Sequence, residues 1–227
     1  MRISAFVAGA VRPSFAGPLR NGRVVSAGGL SCSASEVTQM TATLIVPGCT
    51  GSGPGHWQSW LETQLPGTER VGISDQDRPD LSAWAASVRW HIDRHAEPLL
   101  IVAHGFGCLA AVQAASDYSE RIAGAMLVAL PDPDNYRVTS LLPEMPLAFP
   151  SVVVSSTNDP HMRFDKAAFW AGFWSSSFVS IGAAGGIDEA SGFGPWPQGL
   201  EILEQLKPVP PAYVTATKGI NRATLAV

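Results

Sequence analysis

Cysteine is scarce in this 227-residue chain: Cys32, Cys49 and Cys108 are the full set, and no two are spaced as a pair. Neither a disulfide framework nor a zinc site is expected, and a reducing, cytoplasmic setting is the simplest reading. Long apolar runs are missing as well. None approaches the roughly 20 residues that a bilayer-spanning helix needs, so no membrane partner is expected. The opening MRISAFVAGAV is apolar, but Arg12-Pro13 follows where a signal peptide would carry its small-residue cleavage site. Charge is modest too: 15% charged against 46% hydrophobic residues is the balance of an ordinary globular domain, not of a disordered chain. A basic excess is absent. Residues 40 to 206 hold eight Lys or Arg against eighteen Asp or Glu, which argues against nucleic acid as a partner.

Residues 1–39 are rich in Gly, Ser and Ala without helical or strand periodicity, and read as a loosely ordered leader. The tail 207–227 opens with three prolines in four positions and reads as lying outside the fold. Between them, over 40–206, short apolar runs alternate with amphipathic segments, the pattern of a mainly parallel sheet with helices on both faces. Strands are expected at Thr43–Val46, Thr68–Ile73, Leu99–Ala103, Ile122–Leu130, Ser151–Ser155 and Phe178–Ile181. Helices are expected at His56–Leu65, Leu81–Arg94, Phe106–Ser116, Arg163–Trp174 and Pro197–Leu206. No insertion is long enough for a lid domain, and no internal repeat is present.

One junction carries chemical information. LLIVAHGFGCLA, residues 99–110, reads as a buried strand, a sharp turn and a helix. A hydrolase elbow, G-x-S-x-G, needs small residues two before and two after its nucleophile because the turn is so tight. Ala103 and Gly107 meet that demand around Gly105. Phe106, next in line, would offer its N–H to an oxyanion at the helix N-terminus. On this segment alone a plain strand-glycine-helix turn reads equally well.

Other segments shift that balance. VPGCTGSGPGHWQSW, LIVAHGFGCLA, FPSVVVSSTNDP and GAAGGIDEASGFGPWPQG occur in an order and spacing that resemble the compact, lidless α/β-hydrolases of the YdeN type, the retinoblastoma-binding-protein-nine-like serine hydrolases. The resemblance spans residues 41 to 206 and implies an α/β-hydrolase fold. It places the family's nucleophilic serine at Gly105, its acid at Asp159, and its catalytic histidine at Gly186, within Gly185-Gly186-Ile187-Asp188. It also matches Gly48-Cys49-Thr50 to the loop that donates the second oxyanion N–H. By this reading the acid and the backbone donors of Cys49 and Phe106 remain, while serine and histidine are both glycine.

Hydrolysis through an acyl-enzyme needs an oxygen to attack and an imidazole to move its proton, and glycine supplies neither. Substitutes are few. Cys108 lies about one turn into the helix, where packing against the sheet is its ordinary role. His161, two residues past Asp159, could reach the site from the acid loop, although a surface position is the commoner reading. Asp188 adds a carboxylate where the family has Asn, and paired with Asp159 it could do acid-base work if buried. His104 is expected to point into the structure, His56 and Trp57 to be structural, and Trp170, Trp174 and Trp196 to pack in the core or line the pocket. No cofactor and no metal are expected. The leading expectation is a pseudoenzyme or binding protein for a small molecule with a carbonyl or carboxylate. The competing one is a cyclase, isomerase or lyase that reuses the pocket without a covalent intermediate.

Overall fold

The computed structural model describes residues 41–206, so the expected leader and tail lie outside the described residues. At the centre is β3 (Leu99–His104), buried at all six positions. Such an unbroken apolar strand is stable only where both sheet faces are covered, and each fully buried Leu, Ile or Val contributes about 1.5–3 kcal/mol. β1 (Thr43–Val46) and β4 (Ile122–Val128) flank it, with β2 (Thr68–Arg70), β5 (Ser151–Ser155) and β6 (Ser177–Ser180) completing the order β2-β1-β3-β4-β5-β6. Every pairing is parallel.

Helices cover both faces, as expected. α2 (Leu81–Arg94), α3 (Phe106–Ser116) and α4 (Phe164–Phe173) pack on the side that buries Leu44, Val46, Ile101 and Ala103. α1 (Trp57–Gln64) and α5 (Pro197–Glu204) pack on the side that buries Ile45, Leu100 and Val102. The alternation of neighbouring residues between the two cores is the period of two that a strand imposes. Asp80 caps α2 by accepting from Ala83 N at 2.8 Å, which satisfies one of the donors a helix start leaves open.

The bounds of β1, α2, α3 and β5 coincide with the sequence expectation. β2 is shorter than expected because Gly72 is tied to α2 instead of to the sheet. Its N–H points to His91 Nε2 (3.5 Å) and its carbonyl accepts the Ser87 hydroxyl (2.8 Å). β4 stops at Val128 because Ala129 turns the chain with φ 51. Between β4 and β5 there is no lid domain, only two 3-10 turns, Pro133–Tyr136 and Thr139–Leu141. No helix among the described residues is long and apolar enough to cross a membrane.

Candidate functional site

The strand order reverses at β1 and β3: the chain leaves β1 toward β2 on one side and returns through β3 on the other. In an open parallel sheet the crevice outside the carboxyl ends of two such strands is where ligands bind. Here that crevice lies between the loop after β1 and the turn after β3. Gln58, fully buried at the start of α1, stitches the two strand ends together by donating to Val46 O and Val102 O, each at 3.2 Å.

Gly105 is the apex of the turn after β3. Its backbone takes φ 54 and ψ -133, a conformation that disfavours a side chain but is the sharp geometry a nucleophile elbow requires. The turn is fixed on both sides, by Gly105 N donating to Val128 O (3.0 Å) and Cys108 N donating to Gly105 O (2.9 Å). Gly107 is required by packing: a Cβ there would lie 2.4 Å from Pro47 O and 2.8 Å from Val46 O. The apex is roomier. A Cβ on Gly105 would meet only Gly48 Cα, at an ordinary 3.5 Å, so the β1 loop passes directly against the apex. Phe106, as the first residue of α3, has an N–H for which the helix provides no acceptor, at the positive end of the helix dipole.

Cys49 follows Gly48 in that loop and is half-buried. Burial pushes its thiol above the usual range, against hydrogen bonding to its own backbone and to Tyr136. Tyr136 in turn packs its ring 4.8 Å from that of Phe106, over the start of α3. The sequence reading did not name Tyr136, because it falls in the stretch between β4 and β5 that carries no helical or strand period. Cys108 is fully buried, points its thiol to Val128 O (3.3 Å) and is pushed far toward the neutral form by burial, which leaves it a packing residue.

Asp159 follows β5. Its Oδ1 accepts the backbone N–H of His161 at 2.8 Å, while its Oδ2 is buried with no partner among the described residues. Burial raises its pKa, and the Asp188 carboxylate adds to that rise. His161 itself is exposed. The loop after β6 completes the site, pinned at successive residues. Ala184 N donates to Ser156 Oγ (2.9 Å), Gly185 N to Asn158 Oδ1 (2.8 Å) and Gly186 N to Ser191 Oγ (3.1 Å). His104 Nε2 bonds Gly186 O at 2.9 Å, and Trp57 Nε1 donates to Ile187 O at 2.8 Å. Burial works against ionisation of Asp188, but bonds from the Ser191 hydroxyl and N–H outweigh it and hold the carboxyl below its usual range. A Cβ on Gly186 would lie 3.1 Å from Asp188 Oδ2, so this carboxylate borders the space a side chain at 186 would enter.

Two histidines lie beneath. His56 caps α1 by accepting Gln58 N on Nδ1 (3.1 Å), and its ring centroid is 4.9 Å from that of His104. Burial first, and the neighbouring His104 second, push His56 down to about 3. Burial also lowers His104, against its bond to Gly186. Both are therefore neutral structural groups near neutral pH, in keeping with the sequence reading. Trp174 and Trp196 are buried, Trp196 edge-on to Trp57 at 5.2 Å. Trp170 lines a separate cleft beside α4. Among the described residues no group of three or more His, Cys, Asp or Glu is placed to hold a metal ion.

A sharp strand-to-helix turn with the open Phe106 N–H at its helix start, a loop bearing Asp159 after β5 and a pinned loop after β6 match the frame on which serine hydrolases place their catalytic groups. The family model described as "Serine hydrolase" matches residues 43–205. A crystal structure of a YdeN-like hydrolase from Pectobacterium atrosepticum is 36% identical. It superposes with a TM-score of 0.70 and covers 76% of this chain and 96% of its own. The ydeN gene product of B. subtilis is similar at 19% identity and TM-score 0.64, over 73% of this chain and 98% of its own. An alpha-beta serine hydrolase homologue from Coxiella burnetii shares 21% identity with TM-score 0.51, over 74% and 83%. No curated protein matches the chain. With the family match running from β1 to the end of α5, this chain belongs to the serine hydrolase family and has the α/β-hydrolase fold.

Proposed function

We propose that this chain has given up acyl-enzyme hydrolysis and uses the retained elbow to bind a small molecule through a carbonyl or carboxylate. The observation that carries the reading is the apex itself: Gly105 sits in elbow geometry with room for a side chain and presents neither hydroxyl nor thiol. Gly186, on the loop facing it, presents no imidazole. In a working triad, loss of the serine or the histidine costs on the order of 10⁶ in rate. The N–H groups of Phe106 and Cys49 are backbone donors, which survive side-chain loss and suit an oxygen bearing partial or full negative charge.

The test restores both groups. Gly105→Ser with Gly186→His should make the folded protein react with a fluorophosphonate probe at position 105, while the unmodified protein stays unlabelled. The apex has space for a Cβ, and a Cβ at 186 needs Asp188 to give by only a few tenths of an ångström. Labelling of the unmodified protein, or none of a folded double variant, would overturn the reading.

A second reading has its own support. Asp159 is pushed up by burial and Asp188 held down by Ser191, two neighbouring carboxylates with opposite tendencies, the arrangement that divides acid from base. On this reading the pocket runs a cyclisation, isomerisation or elimination without a covalent intermediate. Turnover by the unmodified protein that Asp159→Asn abolishes would select it over the binding role.

A further inference from the structure

A cleft of about 840 Å³ lies beside α4, lined by Leu142 and Pro143 from the segment before β5 and by Trp170 and Phe173 from the helix. That volume is in the range of small-molecule sites, and none of its lining residues belongs to the elbow, the acid loop or the loop after β6. The two sides are tied together, Leu147 N donating to Trp174 O (3.0 Å) and Trp174 Nε1 to Pro143 O (3.3 Å).

The helix side is aromatic. Trp170 meets Phe173 edge to face with ring centroids 5.6 Å apart, and packs against Trp174 at 4.9 Å. Phe173 keeps 38% of its surface exposed, whereas Trp170 keeps only 6%. The Trp170 indole N–H is nevertheless buried without an acceptor among the described residues, a condition native structures seldom leave unexplained. An oxygen on a molecule in the cleft would supply that acceptor.

The charge around the cleft is negative. Lys166 Nζ serves both Asp132 (2.6 Å) and Asp134 (2.7 Å), one cation between two carboxylates. Bonds from Lys166 and from the Thr139 hydroxyl hold the lining Asp134 below its usual range, so it stays ionised near neutral pH. Glu144 and Arg137, the remaining charged lining residues, are both exposed and have no ion pair among the described residues. Three carboxylates thus face two cations, which leaves one negative charge for an occupant to neutralise. A cation is also attracted to aromatic faces, which repel an anion.

From this arrangement we propose a second ligand site: the cleft takes an organic monocation, an ammonium group carried with a neutral oxygen acceptor on an apolar body. The ammonium lies at Glu144, the oxygen at the Trp170 indole and the body against Trp170 and Phe173. The site stands independently of the reading given to the elbow, since such a ligand needs neither carbonyl nor carboxylate.

Choline phenyl ether is the probe, because it joins a quaternary ammonium to an aromatic ring through an ether oxygen and offers the elbow no carbonyl. The full chain is labelled with nitrogen-15, and the Trp170 indole signal is identified by its loss in Trp170→Phe. Choline phenyl ether should shift that signal saturably. The neutral isostere 3,3-dimethylbutyl phenyl ether should bind about tenfold more weakly, the scale of a cation against aromatic faces and one carboxylate. Glu144→Gln, a change at an exposed side chain, should weaken binding of the cation about fivefold and leave that of the isostere unchanged. Arg137→Gln should tighten it. Absence of a saturable Trp170 shift, equal affinity for the isostere, or unchanged affinity in Glu144→Gln would overturn the proposal, and weaker binding in Arg137→Gln would do so as well. So would a shift of the same signal on dilution without ligand together with a dimer in sedimentation, which would show that a second copy covers this face.

Discussion

The elbow and the loop after β6 both carry a residue in the left-handed region, and they hold it by opposite means. Gly105 takes φ 54 at no side-chain cost, and its turn is fixed by two backbone hydrogen bonds. Ile187 takes φ 51 with a β-branched side chain, where an L-residue is strained by about 1–2 kcal/mol, and it is fully buried. Side chains from distant elements clamp this second loop: Trp57 on the Ile187 carbonyl, His104 on the Gly186 carbonyl, Ser156 and Asn158 on the N–H groups before it. The difference teaches where the frame is rigid. The elbow's conformation follows from the sheet, whereas the facing loop is strained and held from outside.

The largest effect should come from within the elbow. In Gly107→Ala the new Cβ meets backbone, Pro47 O at 2.4 Å and Val46 O at 2.8 Å, and neither can move without breaking the junction of β1 with its loop. A loss of about 3 kcal/mol in urea unfolding is expected. Gly105→Ala, two residues earlier, meets only Gly48 Cα at 3.5 Å and should lose about 1 kcal/mol, the φ strain alone. Equal losses at the two positions would break the distinction between a packed glycine and a conformational one.

Acidification should act through the histidines beneath the site. His56 is pushed from about 6.5 unfolded to about 3 folded, so the unfolded chain binds the proton that the folded one refuses. Its contribution is complete above pH 6.5 and is lost as pH falls from there toward 3. Between pH 7 and pH 5 that amounts to about 2 kcal/mol. His104, lowered in the same direction, adds to it, and it is the residue that grips the loop after β6. His56→Asn keeps an oxygen to cap α1 and removes the titration, so its urea midpoint should fall less between pH 7 and 5 than that of the unmodified protein. An unchanged pH dependence would assign the acid sensitivity elsewhere.

The parallel sheet and most helix bounds were legible because apolar period and turn residues dictate them locally. α2 begins at its Asp80 cap and α3 at the glycine turn, both readable in one dimension. The shortened β2 was not legible, since the competition for Gly72 comes from His91 and Ser87 on α2. The turn at Asp132-Pro133 did have a local signal: Asp132 caps it by accepting Asp134 N at 3.0 Å. That signal marks the turn but not its contacts, so Tyr136 over the elbow stayed invisible. At the site itself, motif order named Gly105, Asp159, Gly186 and Asp188; the structure puts Gly105 at the turn after β3, Asp159 after β5 and the other two on the loop after β6. What holds them, the contact of His56 with His104 and of Trp57 with Ile187, joins residues far apart in sequence and emerges only on folding.

The smallest effect is the sharpest test of the strained loop, because it predicts a reversal of sign. Ile187→Ala and Ile187→Gly both delete a fully buried side chain, and both should destabilise the protein by several kcal/mol through the cavity they leave. At an ordinary position glycine would be the worse of the two, by about 0.5–1 kcal/mol, because it loses more backbone freedom on folding. At φ 51 alanine keeps the left-handed strain and glycine relieves it. Ile187→Gly should therefore unfold at a higher urea concentration than Ile187→Ala, by about 0.5–1 kcal/mol. The ordinary order, alanine above glycine, would mean that Trp57 and His104 hold a relaxed loop and that the contrast with the elbow does not exist.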